Sequence, residues 1–276
     1  MAAYGSGETL HMLMEAVFLA ADDRAKYAGD PSLIEVPIQQ LLSDEYAKKL
    51  ARMIDKNNTA GPPPERWNRS RVDKVPEDLG APYESGMTTH FAVADSQGNV
   101  ITVTQTLGGG FGSCVAPSGT GVFLNNMCKW FDIDPSLKSP NLIGSGRQVD
   151  FCLAPVQLFD VSSDKSPEIF LSIGTPGSYG ILHTSAQMIH HVVDIGMNVQ
   201  EAIEAPRFRF FDGGALLIEN RFPKNILNSL YERGHRFRHL PPFHAAVGGG
   251  HGIQFTKHGT MLGGADPRRG GIALGF

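Results

Sequence analysis

The chain of 276 residues is poor in cysteine, and its three, Cys114, Cys128 and Cys152, show neither CxxC spacing nor a Cys/His ligand pattern. That argues against a disulfide framework and a zinc site, and the three read as small buried apolar residues. Long apolar runs are missing as well. None approaches the ~20 residues of a membrane-spanning helix, so no membrane association is expected. The start, Met1-Ala2-Ala3-Tyr4-Gly5-Ser6, lacks the basic and apolar blocks of an export signal. The expected compartment is the cytoplasm, with the periplasm as the alternative should residues precede Met1. Charge of one sign is not in excess either: the formal net charge is -4 and the basic residues are interspersed with acids, so no nucleic-acid partner is expected.

What the chain does have is glycine, 32 residues, clustered at 108–112, 248–252 and 270–271. Such clusters mark backbone that turns tightly or lets a ligand come close. With 41% hydrophobic and 19% charged residues the chain can bury the core of one large or two small domains. Apolar spacing predicts a helix from Gly7 to about Lys26, with Leu10, Leu13, Val17 and Leu19 near one face and His11, Met12 and Met14 as core or boundary residues. A second segment starts at Pro37, and Ser43 fits the N-cap of a helix to about Asp55. Residues 57–82, rich in proline, turn formers and charge, read as an exposed, mobile tether. Position 87 stands at its end, where a break in the backbone is tolerated.

Beyond it the pattern changes to strands. Thr88 to Ala94 and Val100 to Leu107 both alternate around a Gln97-Gly98-Asn99 turn, which predicts a β-hairpin that brings Thr106 back beside Thr88. Further strands are expected at Gly121–Asn126, Phe151–Phe159, Glu168–Ile173, Ala215–Glu219 and from about 250 to 264, with helices at Ile181–Ile195, Val199–Ala205 and Pro223–Gly234. Residues 130–140 read as an irregular loop. His183, His190 and His191 have no carboxylate at ligand spacing and read as boundary residues. Strands, then helices, then strands make an α+β layered fold the economical arrangement.

Two features of this pattern carry chemistry. A threonine hydroxyl is a weak nucleophile, but if the chain is cut just before it the freed α-amine, with a pKa of roughly 7.7 to 8.0, becomes its base. Thr88, in Gly86-Met87-Thr88-Thr89-His90, is such a candidate, with Met87-Thr88 as the cleavage site; the alternative is a Thr-Thr pair that simply begins a strand. The second feature is Gly174-Thr175-Pro176-Gly177-Ser178-Tyr179-Gly180, between a strand and a helix. Its outward amides can hold a developing oxyanion, each donor worth roughly 3 to 4 kcal/mol in a transition state. Gly108-Gly109-Gly110-Phe111-Gly112 is neither a dinucleotide nor a Walker loop and reads as a flexible turn.

Thr88-Thr89-His90-Phe91 with Asp95 and Gly98-Asn99, Thr104-Gln105-Thr106-Leu107, Phe111-Gly112, Gly121 through Leu124-Asn125-Asn126, Gly174-Thr175-Pro176-Gly177, Glu204-Ala205-Pro206-Arg207-Phe208 and Gly264-Ala265-Asp266-Pro267-Arg268 occur in that order. Together they resemble the γ-glutamyltransferases, N-terminal-nucleophile hydrolases with an αββα sandwich. Gly5-Ser6-Gly7-Glu8 and Asp22-Asp23-Arg24 through Gly29-Asp30-Pro31 are similar to the end of that family's large subunit. The resemblance implies a large-subunit-like region over 1–87 and a catalytic small-subunit-like region over 88–276. It also implies a zymogen that cleaves itself before Thr88, with Thr106 orienting the nucleophile and the amides of Gly177 and Ser178 forming the oxyanion hole. The reaction it implies is transfer of a γ-glutamyl group, as from glutathione, through an acyl-threonine ester to water or an amine, with no metal or organic cofactor.

Several positions depart from the family pattern. Gly108 stands where the family has Asn. Met127 and Trp130 replace groups that grip the substrate's α-amine, Phe151-Cys152 replaces a Ser-Ser pair on its α-carboxylate, and Ser178 replaces a glycine. Losing the partner of a buried charge costs about 2 to 5 kcal/mol, so the expected substrate shifts toward a non-glutamyl amide, as in amidohydrolases and acylases. Family precursors are also longer before the nucleophile, so the sandwich is expected to be incomplete on its N-terminal side and to need a large-subunit segment. A heterodimer after cleavage or a homo-oligomer follows, and a non-catalytic fragment or partner subunit is the reading of another class.

Overall fold

Ser6 opens the first helix by accepting a hydrogen bond from the Thr9 amide at 3.1 Å, which satisfies one orphan donor of the first turn. This helix, α1, spans Gly7–Tyr27, with Glu8 in its first turn and Arg24 and Lys26 in its last, each at the end of the dipole that favours it. The structure is a computed structural model and describes residues 5–60, 87–162, 166–211 and 214–276. Leu10, Met14, Val17 and Phe18 of α1 pack with Phe208, Phe210, Ile218, Ile226 and Leu230 in one core, while Leu19 is only partly buried. Next come α2 (Ile38–Leu41) and α3 (Asp44–Ala51). Ser43 caps α3 as expected, but the helix ends at Ala51 rather than near Asp55. Asp55 instead accepts from the Asn57 amide and the Asn58 side chain, a local turn that competes with helix. Beyond Ala60, the tether read from the sequence lies outside the described residues until Met87.

The hairpin forms in the expected register. β1 (Thr88–Ala94) pairs antiparallel with β2 (Val100–Thr106), and Thr88 faces Thr106. The chain continues through β3 (Val156–Asp160), β4 (Glu168–Gly174), α4 (Gly180–Val193), α5 (Val199–Glu204), β5 (Phe208–Phe210), β6 (Leu216–Glu219), α6 (Lys224–Glu232), β7 (Arg238–Leu240), β8 (His251–Phe255) and β9 (Met261–Ala265). β3-β4-β8-β9 is an antiparallel sheet. The hairpin packs against β4 and β8 on one face of it, and α4 and α5 cover the other through Leu171, Ile173, Met188, Val192, Ala202 and Ile203.

Helix, sheet, sheet is thus three layers of the expected sandwich. On the outer side of the hairpin, Phe91, Val93 and Ile101 are exposed, and no helix among the described residues covers them. A third sheet, β5-β6-β7, packs beside α1 and α6. Its outer strands are three residues each, too short to show alternation in sequence.

Some expectations are corrected. The strand expected from Phe151 starts only at Val156, because Pro155 has no N–H for the ladder. Gly121–Asn126 is not a strand: Leu124 exchanges hydrogen bonds with Ser113 and Val115 and the Asn126 amide donates to the Leu107 carbonyl, but no regular ladder forms, and Gly119 and Gly121 hold positive φ. The loop after residue 126 contains tight helical turns at Met127–Trp130 and Pro135–Leu137. His190 does have a carboxylate, Asp194 one helical turn on, at 2.6 Å. Cys114 and Cys128 are exposed, and only Cys152 is buried.

Candidate active site

One face of the hairpin carries Thr88, His90 and Ala92 opposite Thr106, Thr104 and Thr102. The Thr88 hydroxyl donates to Thr106 Oγ1 at 2.9 Å, and the Gly108 amide donates to the same oxygen at 2.9 Å. An oxygen that already accepts two hydrogen bonds is a poor base but a fixed acceptor. In this geometry Thr106 Oγ1 fixes the direction of the Thr88 O–H bond. Met87 is exposed, and its amide donates to the Gly108 carbonyl at 3.2 Å, so the segment after Thr106 holds both sides of the Met87-Thr88 bond.

His90, two residues along the same face, is buried. Its Nδ1 lies 2.8 Å from Thr104 Oγ1 and its Nε2 3.4 Å from Thr102 Oγ1. Burial, with His251 nearby, pushes its pKa down to about 4, so the ring is neutral at pH 7. The ring rests on Gly174 at the end of β4, where a Cβ would fall 2.3 Å from it. Only glycine allows this approach. The contact ties the strand of Thr88 to the strand that leads into the Gly174–Gly180 turn. Nothing in the sequence singles out His90, because a histidine in an alternating strand looks like any half-buried residue.

In that turn Gly177 has φ 140° and Ser178 φ 55°, both positive, and among the described residues no hydrogen bond occupies either amide. The turn sits at the N-terminus of α4, which has no side-chain cap, so the positive end of the helix dipole adds to the amides. Thr175 holds the turn to the glycine strip, accepting from the Gly249 amide at 2.9 Å. Beneath that strip, Asp266 Oδ2 accepts from the Gly250 amide at 2.8 Å and pairs with Arg207 at 2.9 Å. Arg268 bridges Asp266 at 3.1 Å and Glu219 at 2.6 Å, with all four side chains fully buried. Burial alone would raise the Asp266 pKa, but Arg207 and Arg268 outweigh it and hold the carboxyl below its usual range. The Glu204–Phe208 and Gly264–Arg268 motifs thus meet in one ion network, a pairing that their separation in sequence conceals.

The remaining sequence candidates stand in different settings. Met127, Trp130 and Cys152 are buried in a cluster with Tyr179 and Ile181. The Trp130 and Tyr179 ring centroids are 5.0 Å apart, and the Arg24 guanidinium, paired with Asp150 at 3.0 Å, lies 3.5 Å from the centre of the Tyr179 ring. Phe151 is exposed. Gly108 has φ +87°, and a Cβ there would come 2.2 Å from Asn126 Oδ1, which accepts from the Gly109 amide at 2.8 Å. The space beside Gly108 is taken by the Asn126 side chain.

A family model described as gamma-glutamyltranspeptidase matches residues 1–276. The chain is 32% identical over 271 residues to an "Acylase ACY 1 proenzyme" of Pseudomonas sp. (strain SE83), covering 98% of this chain and 44% of that protein. It is 32% identical over 274 residues to a "Glutathione hydrolase proenzyme" of Escherichia coli (strain K12), covering 96% and 44%. Among solved structures, cephalosporin acylase from Bacillus halodurans superposes with a TM-score of 0.75 at 28% identity, over 96% of this chain and 45% of that one. The chain therefore spans less than half the length of these relatives.

Proposed function

Because the chain belongs to the gamma-glutamyltranspeptidase family, we propose that it is a self-cleaving amide hydrolase or acyltransferase with Thr88 as nucleophile. The observation that carries this reading is the 2.9 Å hydrogen bond from Thr88 Oγ1 to Thr106 Oγ1, directly after an exposed Met87. Thr88 Oγ1 attacks the Met87 carbonyl carbon, the C–N bond breaks, and the hydroxyl proton ends on the Thr88 nitrogen, now an α-amine. Water then cleaves the ester and frees the Met87 carboxylate. In turnover the α-amine takes the hydroxyl proton as Oγ1 attacks the substrate amide, then passes it to the leaving amine. Water or an acceptor amine attacks the acyl-threonine ester and regenerates Thr88. The amides of Gly177 and Ser178 stabilise the oxyanion at each stage.

In this reading residues 88–276 are the catalytic region and residues 1–87 the end of a large-subunit-like region. The uncovered Phe91, Val93 and Ile101 are where a further large-subunit segment packs, giving a heterodimer after cleavage.

The acyl group is a non-glutamyl one. At the positions where the family grips the α-ammonium and α-carboxylate, Met127, Trp130 and Cys152 carry no charge and are packed with Tyr179 and Ile181. An acylase proenzyme and a glutathione hydrolase proenzyme are equally similar to the chain, at 32% identity, so the choice rests on these side chains. The test is turnover of a γ-glutamyl anilide against uncharged acyl amides and acyl-lactams, with Thr88→Ala as control. Preference for the uncharged amides supports the reading, and a γ-glutamyl preference refutes the substrate class while leaving the nucleophile in place.

A further inference from the structure

Away from the nucleophile, three ligand-type side chains converge on the inner face of α1. His11 and Glu15 lie one helical turn apart, and His235 follows α6, which packs on α1. All three are buried, and one donor atom from each lies within 4.8 Å of the other two. We propose that His11 Nδ1, His235 Nε2 and Glu15 Oε1 form a zinc(II) site.

The geometry is prepared for an ion. His11 Nε2 lies 2.7 Å from the Asp55 carbonyl, which can only accept, so the proton sits on Nε2 and the Nδ1 lone pair faces His235 Nε2 at 2.7 Å. A carbonyl behind the outer ring nitrogen is the arrangement that orients metal-binding histidines. Glu15 is held by the Thr59 hydroxyl at 2.7 Å and the Ala60 amide at 3.1 Å, which leaves lone pairs free on its carboxylate. Its Oε1 lies 4.0 Å from His235 Nε2. Ligands at about 2.05 Å around a tetrahedral zinc stand about 3.3 Å apart, so the 2.7 and 4.0 Å separations straddle the required value.

Binding asks one proton to move and the two imidazoles to part by about 0.6 Å, from 2.7 Å to the tetrahedral separation. The His235 proton shifts from Nε2 to Nδ1, the ring stays neutral, and zinc takes the place of that proton between the two imidazoles. Two imidazoles and one carboxylate form a donor set suited to zinc rather than to magnesium or calcium, with water as a fourth ligand. The ion would tie together α1, the Asp55–Ala60 segment and the turn after α6. In sequence the site is hidden because His11 and His235 are 224 residues apart.

The test uses the full chain, stripped with a chelator and with its exposed Cys114 and Cys128 alkylated so that thiols do not bind metal. Titration with zinc(II) is expected to show one equivalent bound, and cobalt(II) a tetrahedral visible spectrum without thiolate charge transfer. His235→Gln and Glu15→Gln are each expected to weaken binding at least about tenfold. Absence of stoichiometric binding, or unchanged affinity in folded His235→Gln, overturns the proposal. Should His235→Gln fail to fold, the wild-type cobalt spectrum decides alone: a six-coordinate spectrum overturns the site.

Discussion

Thr106 Oγ1 accepts two hydrogen bonds, from the Thr88 hydroxyl and from the Gly108 amide, each at 2.9 Å. In the proposed mechanism the pair aims the Thr88 oxygen and leaves deprotonation to the α-amine. Thr106→Val is therefore expected to slow both self-cleavage and amide turnover by about 10- to 1000-fold in rate, within the usual range for a lost positioning or proton-transfer partner, with KM little changed. Thr106→Ser keeps the oxygen and should retain most of the rate. Equal losses in both variants would show that packing of the threonine methyl, not the hydroxyl, is what matters.

Gly174 and His90 form a tight pair across the two sheets. Adding a methyl in Gly174→Ala is expected to destabilise the fold by about 1 to 3 kcal/mol in urea unfolding, the usual cost of overpacking. His90→Ala in the same chain should relieve much of that cost. Strict additivity of the two changes would mean that the ring does not set the spacing between β1 and β4.

Burial holds His90 and His191 down to about 4 and His183 down to about 3. The unfolded chain takes protons near 6.5, while the folded chain takes them only near 4 or below. Between these values the unfolded state binds more protons, so stability is full above about pH 6.5 and falls as pH drops. Each such histidine is expected to cost roughly 2 kcal/mol by pH 5. Urea titrations at pH 7, 6 and 5 should show this decline, and a flat profile would argue that the rings are solvated.

Asp266 faces both Arg207 and Arg268 in the buried network. Asp266→Asn leaves two guanidinium groups short of charge and is expected to cost about 3 to 5 kcal/mol. Because Asp266 also holds the Gly250 amide, surviving protein should lose amide turnover as well as stability. A variant as stable as wild type would remove the network from the account.

The hairpin was legible in the sequence because its seven-residue strands alternate around a clear turn, and an antiparallel register dictates that Thr106 faces Thr88. The turn after β4 was legible for a similar reason: a glycine-rich break between an apolar strand and an apolar helix. What sequence concealed lies in contacts between distant segments. Met127, Trp130 and Cys152 stand at positions where the family grips its substrate, and here they pack around Tyr179, an arrangement that spacing cannot reveal. The Asp266 network and the His11–His235 contact likewise join motifs that are separated along the chain. Short strands such as β5 and β7 take their conformation from their neighbours rather than from a pattern of their own.

The central claim rests on the Met87-Thr88 bond, and intact-mass measurement of the purified, folded chain tests it most directly. The account predicts two fragments, residues 1–87 and 88–276, that accumulate with time, and a single uncut chain in Thr88→Ala. A wild-type chain that stays whole on prolonged incubation, or a Thr88→Ala chain cut at the same bond, would contradict it.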